Sequence, residues 1–254
     1  MATRTTRLTL KTSIEETLLS KVLCYPKPSQ EELHKRLEQL RALNIEELIL
    51  EGPHKINGLN VIGKGCDSLV VKALLKDRVI ALKIRRVDSH VKNLLPEGEN
   101  QKMANSVNVG AKVYAFSEDF IAMELIEGVH IDVFIRQASR DLIEVVIRDL
   151  LEQCRRLDLI GLDHGELSRA HKHIIITTQA KPVIIDFSSS SKQRKPSNVS
   201  SVFSFLFLSK TELSHVLCQK LNVSFTRDVA IKALREYKKS LSEESFKRIL
   251  ELIV

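Results

Sequence analysis

The spacing of apolar and polar residues changes character along the chain. Up to about residue 55, Ser29 followed by Glu32 makes a capping-box pattern, and Leu33, Leu37, Leu40 and Leu43 recur at helical spacing. Glu47 to Glu51 then reads as a strand ahead of Gly52-Pro53. This periodicity favours a helical extension packed on the neighbouring region over a small winged-helix-like module. From about 56 to 127, short alternating or apolar runs dominate. Ile56–Ile62, Leu69–Leu75, Arg78–Arg85, Val113–Phe116 and Asp119–Leu125 read as strands, with a polar, helical stretch at Leu94–Val107 between them. From 128 to 254 the pattern turns mostly helical. Asp141–Leu157 carries Ile143, Val146, Ile147, Leu150, Leu151 and Cys154 along one helical face. Ile174–Thr177 and Val183–Phe187 predict a hairpin around Gln179 to Lys181. A serine-rich basic segment, Ser188 to Ser201, breaks the pattern before closing helices, one of them begun by Ser242 as N-cap. The expectation is an α+β chain in three regions, 1–55, 56–127 and 128–254. A sheet-rich front and a helix-rich back suggest two lobes with a cleft between them, the usual place for a ligand.

Composition narrows the class. The 254 residues are 43% hydrophobic and 28% charged, which reads as a globular chain with enough material for a sizeable core. No apolar run approaches the roughly 18 residues of a membrane span, so no membrane partner is expected; the longest candidates, Val183 to Phe187 and Val202 to Leu208, have the length of a buried strand or helix. Cys24, Cys66, Cys154 and Cys218 form no CxxC pair, and scattered cysteines fit a reducing, cytoplasmic setting. Met1 to Lys11 carries Arg4, Arg7 and Lys11 but no apolar signal region, which favours a plain basic terminus over a targeting segment. The net charge of +7 suits phosphate-bearing ligands, an RNA or ribosomal partner, or simply a solvated surface.

The residues that carry chemistry come in order along the chain. Gly63-Lys-Gly65-Cys-Asp-Ser68 lies between two strand-like runs; its two glycines allow a tight turn and close approach to phosphate oxygens, although Ser68 stands where a third glycine would complete GxGxxG. A strand, not a helix, comes next, which removes a dinucleotide-binding reading. Lys83 sits in the apolar run Ile80-Ala-Leu-Lys83, where a buried ammonium needs a partner. Glu97 and Glu99 are the candidate partners. Asp186 ends the apolar run Ile184-Ile185, poised for a divalent cation.

Taken together these motifs resemble the protein-kinase-like superfamily, closest to RIO-type and compact archaeal Ser/Thr kinases. Ile80-Ala-Leu-Lys83 resembles the Val-Ala-Ile-Lys strand, and Glu97-Gly-Glu-Asn-Gln resembles the helix whose glutamate orders that lysine, in a register that favours Glu97. Met123-Glu124-Leu-Ile126-Glu-Gly128 is similar to a hinge on which adenine bonds to backbone around Glu124 to Ile126. Asp163-His-Gly-Glu166-Leu-Ser resembles the RIO-type His-Gly-Asp-Leu-Ser catalytic loop, and Ile185-Asp186-Phe187-Ser188 resembles the metal-binding Ile-Asp-Phe-Gly turn. The likeness runs from about Val61 to Phe187, half of the chain. It implies a bilobal protein-kinase-like fold, with an antiparallel-sheet N-lobe, a reduced helical C-lobe and an N-terminal extension. It further implies ATP under Gly63, Gly65 and Ser68, with Lys83 and Glu97 ordering its phosphates. Mg2+ or Mn2+ would sit on Asp186, and Glu166 would accept the proton of a Ser/Thr hydroxyl on a protein substrate or position water for hydrolysis.

The pattern also departs from that family. Glu166 replaces aspartate, with Asp163 as an alternative base. The metal-binding asparagine is missing: fixed counting puts His171 there, alignment to the strand puts His173 there and is preferred, so His173 joins Asp186 as the expected metal ligand, although imidazole is a poorer ligand for a hard cation than an amide oxygen. Arg169 and Lys172 are candidates to offset phosphate charge. No Ala-Pro-Glu closes the segment after Asp186, and the serines beside Lys192, Arg194 and Lys195 read as an autophosphorylation segment, a contact for an acidic partner or a loop. The competing expectations are therefore an active kinase or ATPase, a nucleotide-binding pseudokinase scaffold, an RNA- or ribosome-associated module, and a small-molecule phosphotransferase.

Overall fold

The computed structural model describes residues 5–10 and 16–253. Of the basic stretch read for targeting, residues 1–4 and 11 lie outside them. The described chain is mixed α and β with antiparallel sheets and no barrel. It divides into two compact units, one of Met1–Lys102 and Lys112–Leu125, the other of Met103–Ala111 and Ile126–Val254.

The first unit begins with strand β1 (Thr6–Thr9), helices α1 (Glu16–Leu23) and α2 (Gln30–Ala42), and strand β2 (Ile45–Leu50). Ser29 caps α2 by accepting from the Glu32 amide, as the capping-box pattern requires. Next come β3 (His54–Ile56) and β4 (Leu59–Val61). The sequence pattern reads this span as one strand; it is a hairpin, because Asn57 and Gly58 both take positive φ and turn the chain. The stub β5 (Gly63–Lys64), β6 (Ser68–Leu75), β7 (Arg78–Arg85), β8 (Val113–Phe116) and β9 (Phe120–Met123) complete the strands, with helix α3 (Leu95–Asn105) between β7 and β8. The sheet order is β1-β2-β6-β7-β9-β8, with β5 on β6 and every pairing antiparallel. Strands β1 and β2, before residue 55, thus extend the same sheet.

Charge fixes the helices of this unit to its strands. Arg36 lies in the apolar stripe of α2 and is fully buried. Its guanidinium donates to the Leu23 and Arg85 carbonyls, to Glu32 and, at 3.0 Å, to Asp119. Asp119 also accepts from Arg85 and Gln39. A buried cation held by this many acceptors replaces its lost hydration with fixed partners. Leu33, Leu37, Leu48, Val71, Ile80 and Leu82 share one core beneath.

The second unit opens with β10 (Gly128–His130), α4 (Ile131–Gln137) and α5 (Arg140–Leu159). Ile143, Val146, Ile147, Leu150, Leu151, Cys154 and Leu157 are all buried, which is the predicted stripe. A 3-10 turn at Leu167–Lys172 leads to the hairpin β11 (Ile174–Thr177) and β12 (Pro182–Ile184), with β10 paired on β11. Strand β12 stops before Asp186 because Asp186 takes φ 65°, a left-handed backbone that ends the pleat. Helix α6 (Asn198–Phe203) runs into a π-helical turn at Ser204–Leu208. Helices α7 (Glu212–Leu221), α8 (Arg227–Ser240) and α9 (Glu243–Glu251) close the chain, each opened by a Thr or Ser whose hydroxyl accepts a first-turn amide. Among the described residues no helix is long and apolar enough to cross a membrane. Cys24, Cys66, Cys154 and Cys218 carry no disulfide.

Candidate functional site

In the first unit the glycine segment leaves β5 and returns on β6, with Gly63 opposite Val70 and Lys64 opposite Leu69. The Gly65 amide donates to the Ser68 carbonyl at 2.8 Å, closing the turn. Arg86 donates to the Gly65 carbonyl, and Asp67 accepts from the Ser89 hydroxyl and the His90 amide. The loop is therefore braced from the segment after β7, and its backbone is preorganised. Lys83, in the middle of β7, is 6% exposed and its ammonium meets the Glu97 carboxylate at 2.5 Å. Glu97 stands in the first turn of α3 and is itself buried, whereas Glu99 is exposed.

A glycine inside α3 weakens it by propensity, yet Gly98 has a packing reason. A Cβ there would stand 2.5 Å from the Phe116 ring, so only glycine lets the helix lie this close to β8. That approach sets the height of Glu97 against Lys83. Glu124 comes just after β9, its amide donating to the Lys112 carbonyl and its carboxylate accepting from the Lys112 amide. The chain passes from the first unit to the second between Leu125 and Ile126.

In the second unit the loop between α5 and β11 gathers Asp163, His164 and Glu166, and the segment after β12 supplies Asp186. His173 lies between the two carboxylates: its Nε2 is 3.7 Å from Glu166 and its Nδ1 3.9 Å from Asp186. That Nδ1 is buried and has no hydrogen-bond partner. Burial lowers the His173 pKa, against the pull of Asp186 and Glu166 in the other direction. His171 instead stacks on Phe205, so of the two histidines His173 is the one beside the carboxylates. Glu166 accepts from Arg169 at 2.5 Å and from the Ser189 hydroxyl at 3.0 Å. Desolvation works to raise its pKa; Ser189, Arg169 and His173 outweigh that and hold the carboxyl below its ordinary value. It is an anionic acceptor at neutral pH. Lys172 is exposed.

Motif residues and partners outside the motifs, Asp158, Asn198 and Tyr237, together hold this loop in place. His164 is fully buried. Its Nε2 lies 3.1 Å from the Ile185 carbonyl and its Nδ1 accepts from the Glu166 amide, which assigns the proton to Nε2. Burial pushes its pKa down to about 4, so the ring is neutral and ties the Glu166 loop to the Asp186 strand. The His164 amide donates to Asn198 at the start of α6. Asn198 in turn donates through its amide and side chain to Asp158, which also accepts from the Val199 amide and the Tyr237 hydroxyl. Burial raises the pKa of Asp158 against those four donors. One signal of this network is legible in the sequence: Asp158 is a carboxylate placed on the apolar stripe of α5. Gly165 takes φ 87°, and a Cβ there would strike the Ser189 carbonyl at 2.6 Å, so the loop needs glycine at that step. Asp163 accepts from Arg194 and from the Ser197 amide and exchanges backbone hydrogen bonds with Ser191, which makes it a brace for the segment after Asp186.

For a divalent cation, the Asp186 carboxylate, 42% exposed at its side chain, is the fitting ligand, and the orphaned His173 Nδ1 is the weaker one. Among the described residues no group of three or more His, Cys, Asp or Glu side chains is arranged to hold a metal ion by itself. A cation here would complete its shell from water and phosphate oxygens, the usual habit of Mg2+ at nucleotide sites.

No family model matches the chain. It is similar to an uncharacterized protein of Methanocaldococcus jannaschii, 26% identical over 117 residues, which are 46% of this chain and 96% of the relative. That likeness brings no activity with it.

Proposed function

We propose that the protein is an ATP-dependent phosphotransferase of the bilobal, protein-kinase-like kind, acting on Ser/Thr hydroxyls and working in the cytoplasm. The observation that carries this reading is the pair Lys83–Glu97, a buried ammonium on the second strand after the glycine stub, met at 2.5 Å by a carboxylate from the next helix. A lysine–glutamate pair between such a strand and such a helix is what kinases use to order nucleotide phosphates. The arrangement of Glu166 and Asp186 on either side of His173 gives further support, since phosphoryl transfer needs one carboxylate near the acceptor hydroxyl and one near the cation.

In this reading Gly63, Gly65 and Ser68 lie over the phosphates of ATP, Lys83 donates to them, and Glu97 keeps the ammonium in position. Glu124 to Ile126 offer backbone groups to adenine. Glu166 accepts the proton of the attacking hydroxyl, and His164 holds its loop in register with Asp186. Asp186, and more weakly His173, would hold Mg2+ or Mn2+, which when bound would supply positive charge to offset that of the phosphates. Glutamate is one methylene longer than the aspartate of the family pattern; its carboxylate is held by Arg169 and Ser189.

Calorimetric titration with ATP tests the binding half. The wild type should bind ATP more tightly with Mg2+ than without, Lys83→Ala should lose most of the affinity, and Asp186→Ala should lose the Mg2+ dependence. A chain that binds no nucleotide under either condition overturns the reading.

A further inference from the structure

Four serines come after Phe187, and they are not equivalent. Ser188 is exposed. The Ser190 hydroxyl donates to the Phe187 carbonyl and Ser191 Oγ accepts from the Gln193 amide, both local turn contacts. Ser189 is turned the other way, and its hydroxyl donates to Glu166 Oε1 at 3.0 Å across a separation of 23 residues. A hydroxyl hydrogen-bonded to the carboxylate that takes its proton is the ground-state arrangement of a general-base-assisted acceptor. The contact is built rather than incidental. Gly165 admits the Ser189 carbonyl where any other residue would clash. Arg194 fastens that carbonyl from one side while its Nε holds Asp163. The Asp163–Ser191 backbone pair clamps the segment two residues further on.

Resting on the phosphotransferase reading, we propose that Ser189 is the hydroxyl on which the site acts, in cis, making phosphoserine at this position. Ser189 Oγ attacks the γ-phosphorus of ATP and the bond to the β,γ-bridging oxygen breaks. ADP leaves with that electron pair, and the hydroxyl proton passes to Glu166. The product cannot donate a hydrogen bond back to Glu166, because its oxygen now carries a phosphate instead of a proton. The dianion and the carboxylate repel, and Arg169 and Arg194, which already bracket Glu166 and Ser189, are the cations that take up the new charge. Ser189 can therefore react only once, and its phosphorylation leaves Glu166 without its hydroxyl partner.

The test uses the full chain, radiolabelled ATP with Mg2+, and mass-spectrometric mapping of the phosphosite over a wide range of protein concentration. The expected result is label on Ser189, approaching one phosphate per chain, with a first-order rate constant that does not change on dilution. Ser189→Ala should lose the label and keep ATP binding by calorimetry; Ser189→Thr should move it to phosphothreonine, which no merely structural role would do. Label that persists in Ser189→Ala, or a rate that scales with protein concentration, overturns the proposal. Retained ATP binding without any label also overturns it and leaves the broader reading standing, whereas loss of nucleotide binding in the wild type removes that reading and this inference with it.

Discussion

Lys83 and Glu97 illustrate how much one pair decides at the residue scale. Each is largely buried, so removing one takes a close opposite partner from the other where solvent access is small. Lys83→Met is expected to cost about 3–5 kcal/mol of stability, and Lys83→Met with Glu97→Leu to recover much of it; urea titrations of both variants measure the difference. His164 gives a pH signature. Its folded pKa of about 4 lies below the ordinary imidazole value of 6.5, with burial as the main cause, His173 opposing the charged form and Asp186 and Asp163 favouring it. Between those two values the unfolded chain binds a proton that the folded chain does not. The stability contributed by the neutral ring is thus full above pH 6.5 and declines as the pH falls toward 4. The loss is on the order of 3 kcal/mol at most. His164→Asn should flatten this part of the profile; an unchanged slope between pH 6.5 and pH 4 contradicts the assignment.

Among the elements, strands and amphipathic helices were legible wherever one face is apolar. The α5 stripe and the β6 and β7 runs follow directly from the spacing of their buried residues. The β3–β4 hairpin was visible in the sequence as the Asn57-Gly58 turn pair, which breaks the Ile56–Ile62 run; reading that run as one strand gave periodicity precedence over turn chemistry. Helix α3 has weak amphipathic character and a glycine in its first turn; what positions it is the Phe116 ring, a contact no local pattern announces. Gly98→Ala should force ring or helix to shift, costing about 1–3 kcal/mol and weakening ATP binding through Glu97; denaturation and nucleotide titration of the same variant separate the two effects. Helix α2 is tied to the strands through Arg36 and Asp119. Asp119→Ala leaves fully buried Arg36 with Glu32 and the Leu23 and Arg85 carbonyls and should cost about 1–3 kcal/mol, readable as a lowered melting temperature.

For the whole molecule, the order of elements along the chain was the legible part: a glycine turn between strands, a lysine within a strand, a helix glutamate, an acidic loop and an aspartate just after a strand. Each is carried by a few neighbouring residues whose types and spacing are visible locally. The polar links that hold the candidate site were not legible, because their partners are distant in sequence. Asp158 meets Tyr237 across 79 residues, His164 meets Asn198 across 34, and Ser189 meets Glu166 across 23. Only a misplaced polar residue hints at them, as Asp158 and Arg36 do on apolar helix faces. Counting from Glu166 pointed to His171 and alignment to the strand to the preferred His173; in the fold His171 stacks on Phe205 and His173 sits between carboxylates.

The central claim is that this chain moves the terminal phosphate of ATP with Lys83 and Asp186. Its most direct test is ATP consumption by the purified wild type with Mg2+ or Mn2+, measured as released phosphate plus protein-bound label, beside Lys83→Ala and Asp186→Ala. The expected result is turnover in the wild type and its loss in both variants, with their folding verified by circular dichroism. Equal turnover in all three proteins, or none in a wild type given ATP and either cation, contradicts it.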